Sequence, residues 1–114
     1  MQLRGILALI ICSLPITPLQ AQSCQVIHGR ARFYSADGQM RIWHIGTHHE
    51  FAISDGPSSD MLLKYLCPSK GPCPTQSPSL FADFTICPTE ELKLGATQPA
   101  IVKSIRHPVV VPQK

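Results

Sequence analysis

The chain is poor in charge. Asp, Glu, Lys and Arg make up 15% of its 114 residues, with 10 Lys or Arg against 7 Asp or Glu. A formal charge of +3 gives no broad field for gathering phosphates, so nucleic acid is not an expected partner. Weak charge beside 44% apolar residues also excludes a disordered acidic or basic tail. A (β/α)₈ barrel takes roughly 250 residues, so this length allows one domain at most. Catalytic signatures are missing as well. There is no Gly-x-Ser-x-Gly, no His-Glu-x-x-His and no phosphate-cradling glycine loop. No two cysteines stand in the Cys-x-x-Cys spacing of redox and zinc sites. No internal repeat is present, and no apolar run reaches the roughly 20 residues that cross a bilayer. These absences point away from an enzyme and give no reason to expect a cofactor or a transmembrane segment.

What is present begins with an export leader. Arg4 supplies a positive start, and Gly5 to Leu14 is a nearly unbroken apolar run. Pro15 and Pro18 then break any helix, and small residues at Ala21 and Ser23 suit cleavage. Residues 1–23 therefore read as a signal peptide. Residues 24–114 read as a single small disulfide-bonded β domain, periplasmic or extracellular. Losing Arg4 with the leader lowers the charge to +2.

Removing Cys12 leaves Cys24, Cys67, Cys73 and Cys87, an even number that two disulfides require. Four cysteines allow three connectivities. The favoured one joins Cys67 to Cys73 across a short Pro/Gly-rich gap, and Cys24 to Cys87 between the first and fourth strands. A competing reading is a lipoprotein anchored through Cys24. Its leader usually carries Leu three positions before the cysteine, where this chain has Ala21, and acylation would strand one thiol.

The clearest local signal is a hairpin. Residues 25–35 and 39–47 flank Asp37-Gly38, a pair suited to a two-residue turn with positive φ. That turn sets Phe33 opposite Ile42, Tyr34 opposite Arg41, Arg32 opposite Trp43 and Arg30 opposite Ile45. One face then carries Ile27, Gly29, Ala31, Phe33, Met40, Ile42 and Gly46 and reads as core. The other carries His28, Arg30, Arg32, Tyr34, Arg41, Trp43 and Ile45. Downstream, Phe51-Ala52-Ile53 reads as a third strand and Met61 to Leu66 as a short helix capped by Ser58, Ser59 or Asp60. Leu80 to Cys87 reads as a fourth strand stopped by Pro88. Ala100 to Arg106 or Val111 reads as a fifth, interrupted by Pro108. The fold expected is mainly β: a small five-stranded OB-like barrel, or an open antiparallel sheet, with one short helix between strands 3 and 4.

Three constellations carry candidate chemistry. Arg30, Arg32, Tyr34, Arg41 and Trp43 form a face that can contact a ligand or partner, since guanidinium stacks on aromatic rings. Its bland alternative is a cross-strand ladder covering the sheet. His44, His48 and His49, with Glu50, are weak metal candidates. On an extended strand His44 and His48 lie about 13 Å apart, so a turn at Gly46-Thr47 would have to bring them together. Asp83, alone among apolar neighbours, is expected in a buried ion pair with Arg30 or Arg106.

Cys24-Gln25-Val26-Ile27-His28-Gly29-Arg30, followed by Arg41-Ile42-Trp43-His44-Ile45-Gly46-Thr47, resembles the start of small exported bacterial proteins of unknown function. Phe81-Ala82-Asp83-Phe84-Thr85-Ile86-Cys87-Pro88 resembles their later strand. The resemblance implies a bacterial, exported context with an unidentified protein or envelope component as partner. It places Cys24 and Cys87 in the common part and Cys67 and Cys73 in a variable insert. It assigns no activity.

Overall fold

A computed structural model of the chain describes residues 23–34, 36–68, 73 and 76–113. The leader expected over residues 1–23 lies outside them apart from Ser23. Five strands and one helix follow in the order β1 (Gln25–Tyr34), β2 (Gln39–His44), β3 (Glu50–Ile53), α1 (Pro57–Leu66), β4 (Ser79–Pro88) and β5 (Gln98–Val111). The strands close into a barrel in the order β1-β2-β3-β5-β4, with β4 back against β1. This is the OB-type arrangement, and it decides against the open sheet. Closure depends on β3 and β5, which pair in parallel through Phe51 with Gln98 and Ile53 with Ala100. A parallel pair cannot be joined by a tight turn, and here the helix and β4 intervene.

Alternation fills the barrel as the pattern dictates. Ile27, Ala31, Met40, Ile42, Leu80, Ala82, Phe84 and Ile86 are all buried. Phe51 and Phe84 are the largest fully buried side chains. Leu62 and Leu66, one helical turn apart, bring α1 onto this core. Helix α1 starts four residues earlier than its sequence suggests. Pro57 takes the first position after an N-cap at Gly56, with no side-chain cap. The serines expected to cap are instead buried. Ser58 Oγ accepts from the Val102 N–H at 2.9 Å and donates to the Val102 carbonyl at 3.3 Å, fastening α1 to β5.

The β1–β2 register differs from expectation by two residues. Tyr34 pairs with Gln39, Arg32 with Arg41, Ala31 with Ile42 and Arg30 with Trp43. The turn is therefore four residues rather than two, with the Asp37 N–H donating to the Tyr34 carbonyl at 3.1 Å. A slip of two preserves the faces, because side chains alternate with period two. The core face is thus as read, except that Gly46 lies exposed in the following turn. Pro88 ends β4 but still pairs with Ala100. Strand β5 likewise passes Pro108. Between the pairs Asp83–Arg106 and Phe81–Val109 it carries one extra residue, and His107 turns to φ 56°. This bulge keeps the ladder running to Val111.

Both disulfides form as favoured, Cys24 with Cys87 and Cys67 with Cys73. Among the described residues no helix is long and apolar enough to cross a membrane.

Candidate functional site

The arginine and aromatic side chains do share the outer face, but the shifted register repartners them. Arg30, rather than Arg32, stacks on Trp43, with its guanidinium 4.9 Å from the ring. Its Nε is buried with no hydrogen-bond partner, so the indole surface holds this group in place of an acceptor. Arg41 and Tyr34 still meet, diagonally, at 5.2 Å. Arg32 turns away, donating to Ser79 Oγ at 2.9 Å and to Gln113 Oε1 at 3.2 Å. It borders a separate small cleft of about 240 Å³ with Tyr34 and Ser77. Four of the five residues therefore divide between two concavities, Arg41 and Trp43 in one and Arg32 and Tyr34 in the other, while Arg30 lines neither.

The larger concavity is a groove of about 810 Å³, within the range of small-ligand sites. Its floor holds Arg41 and Trp43 from β2 and Glu50 from β3, and two loops wall it. One wall is the β2–β3 turn, where Thr47 N–H donates to the His44 carbonyl and Gly46 takes φ 89°. The other is the β4–β5 loop, where Ala96 N–H donates to the Lys93 carbonyl and Gly95 takes φ 78°. Both have glycine at the third turn position, where type II geometry requires positive φ. On OB-type barrels the face of strands 2 and 3, between the β1–β2 and β4–β5 loops, is the usual binding surface; this groove shares the strands and the β4–β5 loop and has the β2–β3 turn as its other wall.

Floor geometry is set by short contacts. Trp43 Nε1 donates to the Thr47 carbonyl at 2.7 Å, locking the indole to the turn. Arg41 donates through Nε to Gln39 Oε1 at 2.9 Å and pairs with Glu50 at 3.5 Å and with Asp37 at 4.0 Å. The groove residues that the sequence did not flag are Thr47 and Leu92 to Thr97. Leu92 and Leu94 are exposed, Leu94 completely. Two leucines between Pro88, which stops the fourth strand, and the fifth strand at Ala100 were the available signal.

The Gly46 turn forms, yet it does not gather the three imidazoles. His44 closes the turn through its backbone, its N–H donating to the His49 carbonyl at 3.0 Å. His49 points to the barrel, with Nε2 2.9 Å from Gln98 Oε1 and its ring 4.2 Å from Phe51. His48 and His49 both line the groove. Among the described residues no group of three His, Cys, Asp or Glu is placed to hold a metal ion.

Asp83 also departs from expectation. It pairs in register with His28 and Arg106, but its carboxylate is bonded by His28 Nδ1 at 3.2 Å and His107 Nδ1 at 3.0 Å. The bulge at His107 swings that imidazole onto the neighbouring strand, so His107 and not Arg106 bonds the carboxylate. The side chain is partly exposed rather than buried. Hydrogen bonds from His107 and then His28 hold the carboxyl below its ordinary value.

Set beside known proteins, the chain matches no family model, no curated protein and no solved structure. The reading of the site therefore rests on its geometry.

Proposed function

We propose that this is an exported, non-enzymatic binding protein of the periplasm or cell exterior. It contacts an envelope component through the groove floored by Trp43 and Arg41. The observation that carries this reading is the groove itself, which combines a locked indole, a fixed guanidinium and exposed leucines on the binding side of an OB-type barrel. Arg30 serves it from the adjoining strand β1, as the support of Trp43. Arg32 and Tyr34 belong to the neighbouring cleft and contribute to the rim of the same face. Two disulfides suit an oxidising compartment. With its sulfur bonded to Cys87, Cys24 has no thiol for an acyl chain, which favours the free protein over the lipoprotein.

The test uses Trp43→Phe and Arg41→Gln in the full oxidised domain. Capture of isolated envelope fractions falls for both variants, since Trp43→Phe shrinks the ring surface and removes the N–H that locks it to Thr47 and Arg41→Gln removes the guanidinium, while the melting temperature stays close to that of the parent. Parallel loss of capture and stability would return the face to a purely structural role.

A further inference from the structure

We infer that the groove takes a saccharide, a ring with one apolar face and a rim of hydroxyls, rather than a polyanion or a peptide. The inference rests on the reading of this groove as the ligand site.

Three features of the floor and walls select that chemistry. Trp43 offers only ring surface. Its N–H is occupied by the Thr47 carbonyl at 2.7 Å, and Arg30, which does not line the groove, lies over the ring from the adjoining strand β1 at 4.9 Å. A ring already supporting one cation is a poor seat for a second, and its free surface suits a flat apolar face. Beside it stands Glu50, the cross-strand partner of Trp43, paired with Arg41 at 3.5 Å. Such a pair has little net charge but presents an acceptor and several donors in fixed positions. Hydroxyls, which donate and accept, match both partners. A phosphate backbone would meet Glu50 as a like charge, and the single floor arginine is already shared with Gln39 and Asp37.

The third feature is the β4–β5 wall. Leu92 and Leu94 flank Lys93, and Leu94 sits fully exposed in the turn closed by Ala96. That wall supplies apolar contact for a second ring face or an N-acetyl methyl, with Lys93 and His48 at the polar edge. The mixture of one aromatic platform, one amphoteric pair and an apolar wall is the requirement of a sugar ring and of no single amino-acid side chain.

Trp43 is the sole tryptophan, so its emission reports the groove directly. The oxidised domain is titrated with β-1,4-linked N-acetylglucosamine oligomers, with single-stranded oligothymidylate and with a leucine-rich acidic peptide. The saccharide changes Trp43 emission saturably, and its affinity is unmoved across a tenfold range of salt, unlike a phosphate-driven complex. Glu50→Gln weakens the saccharide by roughly tenfold, as loss of a hydrogen bond to a charged group does, and strengthens any binding of oligothymidylate. NMR shifts on saccharide addition fall on Thr47, Glu50 and Lys93 to Thr97. Absence of any saccharide response overturns the inference. Salt-sensitive binding of oligothymidylate, or peptide binding alone, mapping to the same residues overturns the saccharide class and leaves the groove as the ligand site. Saccharide shifts confined to other surfaces overturn the groove itself.

Discussion

Replacing Gly29 with alanine tests how closely β1, β2 and β4 approach. Gly29 lies inside β1, between His44 on β2 and Ala82 on β4. A Cβ placed there meets Ile42 Cγ2 at 2.9 Å, the Trp43 carbonyl oxygen at 3.0 Å and Phe84 Cδ2 at 3.1 Å. Ile42 and Phe84 are both fully buried, and neither has room to retreat in a close-packed interior. The third contact is backbone, which side-chain repacking cannot relieve. Overpacking of this kind costs about 1–3 kcal/mol. Against it stands the entropy that glycine loses on folding, up to about 1 kcal/mol. Three contacts this short, one of them backbone, place the overpacking cost in the upper half of its range, so the net destabilisation of about 1–2 kcal/mol corresponds to a fall in melting temperature of roughly 5–15 °C for a domain of this size. Far-UV circular dichroism on the oxidised protein measures it. Because the Trp43 carbonyl is one of the three contacts, the emission of Trp43 shifts in the same variant. A melting temperature within about 2 °C of the parent would refute the close approach of the three strands.

Three further outcomes are expected. Ser58→Ala leaves both the N–H and the carbonyl of Val102 without their buried partner, costing about 1–3 kcal/mol in urea unfolding; a neutral result would mean that water reaches the seam between α1 and β5. The Cys24–Cys87 bridge spans 63 residues and Cys67–Cys73 spans 6, so in the chain-entropy view removing the first costs about 4 kcal/mol and removing the second about 2. Denaturant melts of the two paired Ser variants rank them, and the opposite order would contradict that view. The third outcome concerns pH. Asp83 has a folded pKa held below its ordinary 3.8 by His107 and His28. The stability this confers is present above that ordinary value and is lost as pH falls through the lowered one. The difference in melting temperature between the parent and Asp83→Asn therefore shrinks as pH falls below 3.8. A difference that grows on acidification would reverse the assignment.

How far the site was legible follows from the range of each interaction. Trp43 and Arg41 stand out because aromatic and guanidinium side chains alternate with apolar ones along two adjoining strands. Their neighbours did not, because Arg30 or Arg32 reaches Trp43 according to a register set by turn length. Asp37-Gly38 suits a two-residue turn locally, yet the chain closes four residues there. The partners of Asp83 depend on a bulge at His107, where a non-glycine residue takes positive φ. Nothing in the local sequence requires that conformation; the need to keep Val109 to Val111 paired with β4 does.

By itself the sequence determined which side chains face inward, because period-two alternation survives any even slip of register. It also determined the order of elements, since Pro and Gly mark their ends, and it reduced the cysteine pairings to three, of which the fold selects Cys24–Cys87 and Cys67–Cys73. Only the tertiary structure decided that the sheet closes. The parallel contact of β3 with β5 joins residues nearly fifty positions apart, and no local pattern encodes that pairing. The same closure carries the β4–β5 loop opposite the β2–β3 turn and so creates the groove. Its floor can be read from the strands, but its walls exist only because the barrel is shut.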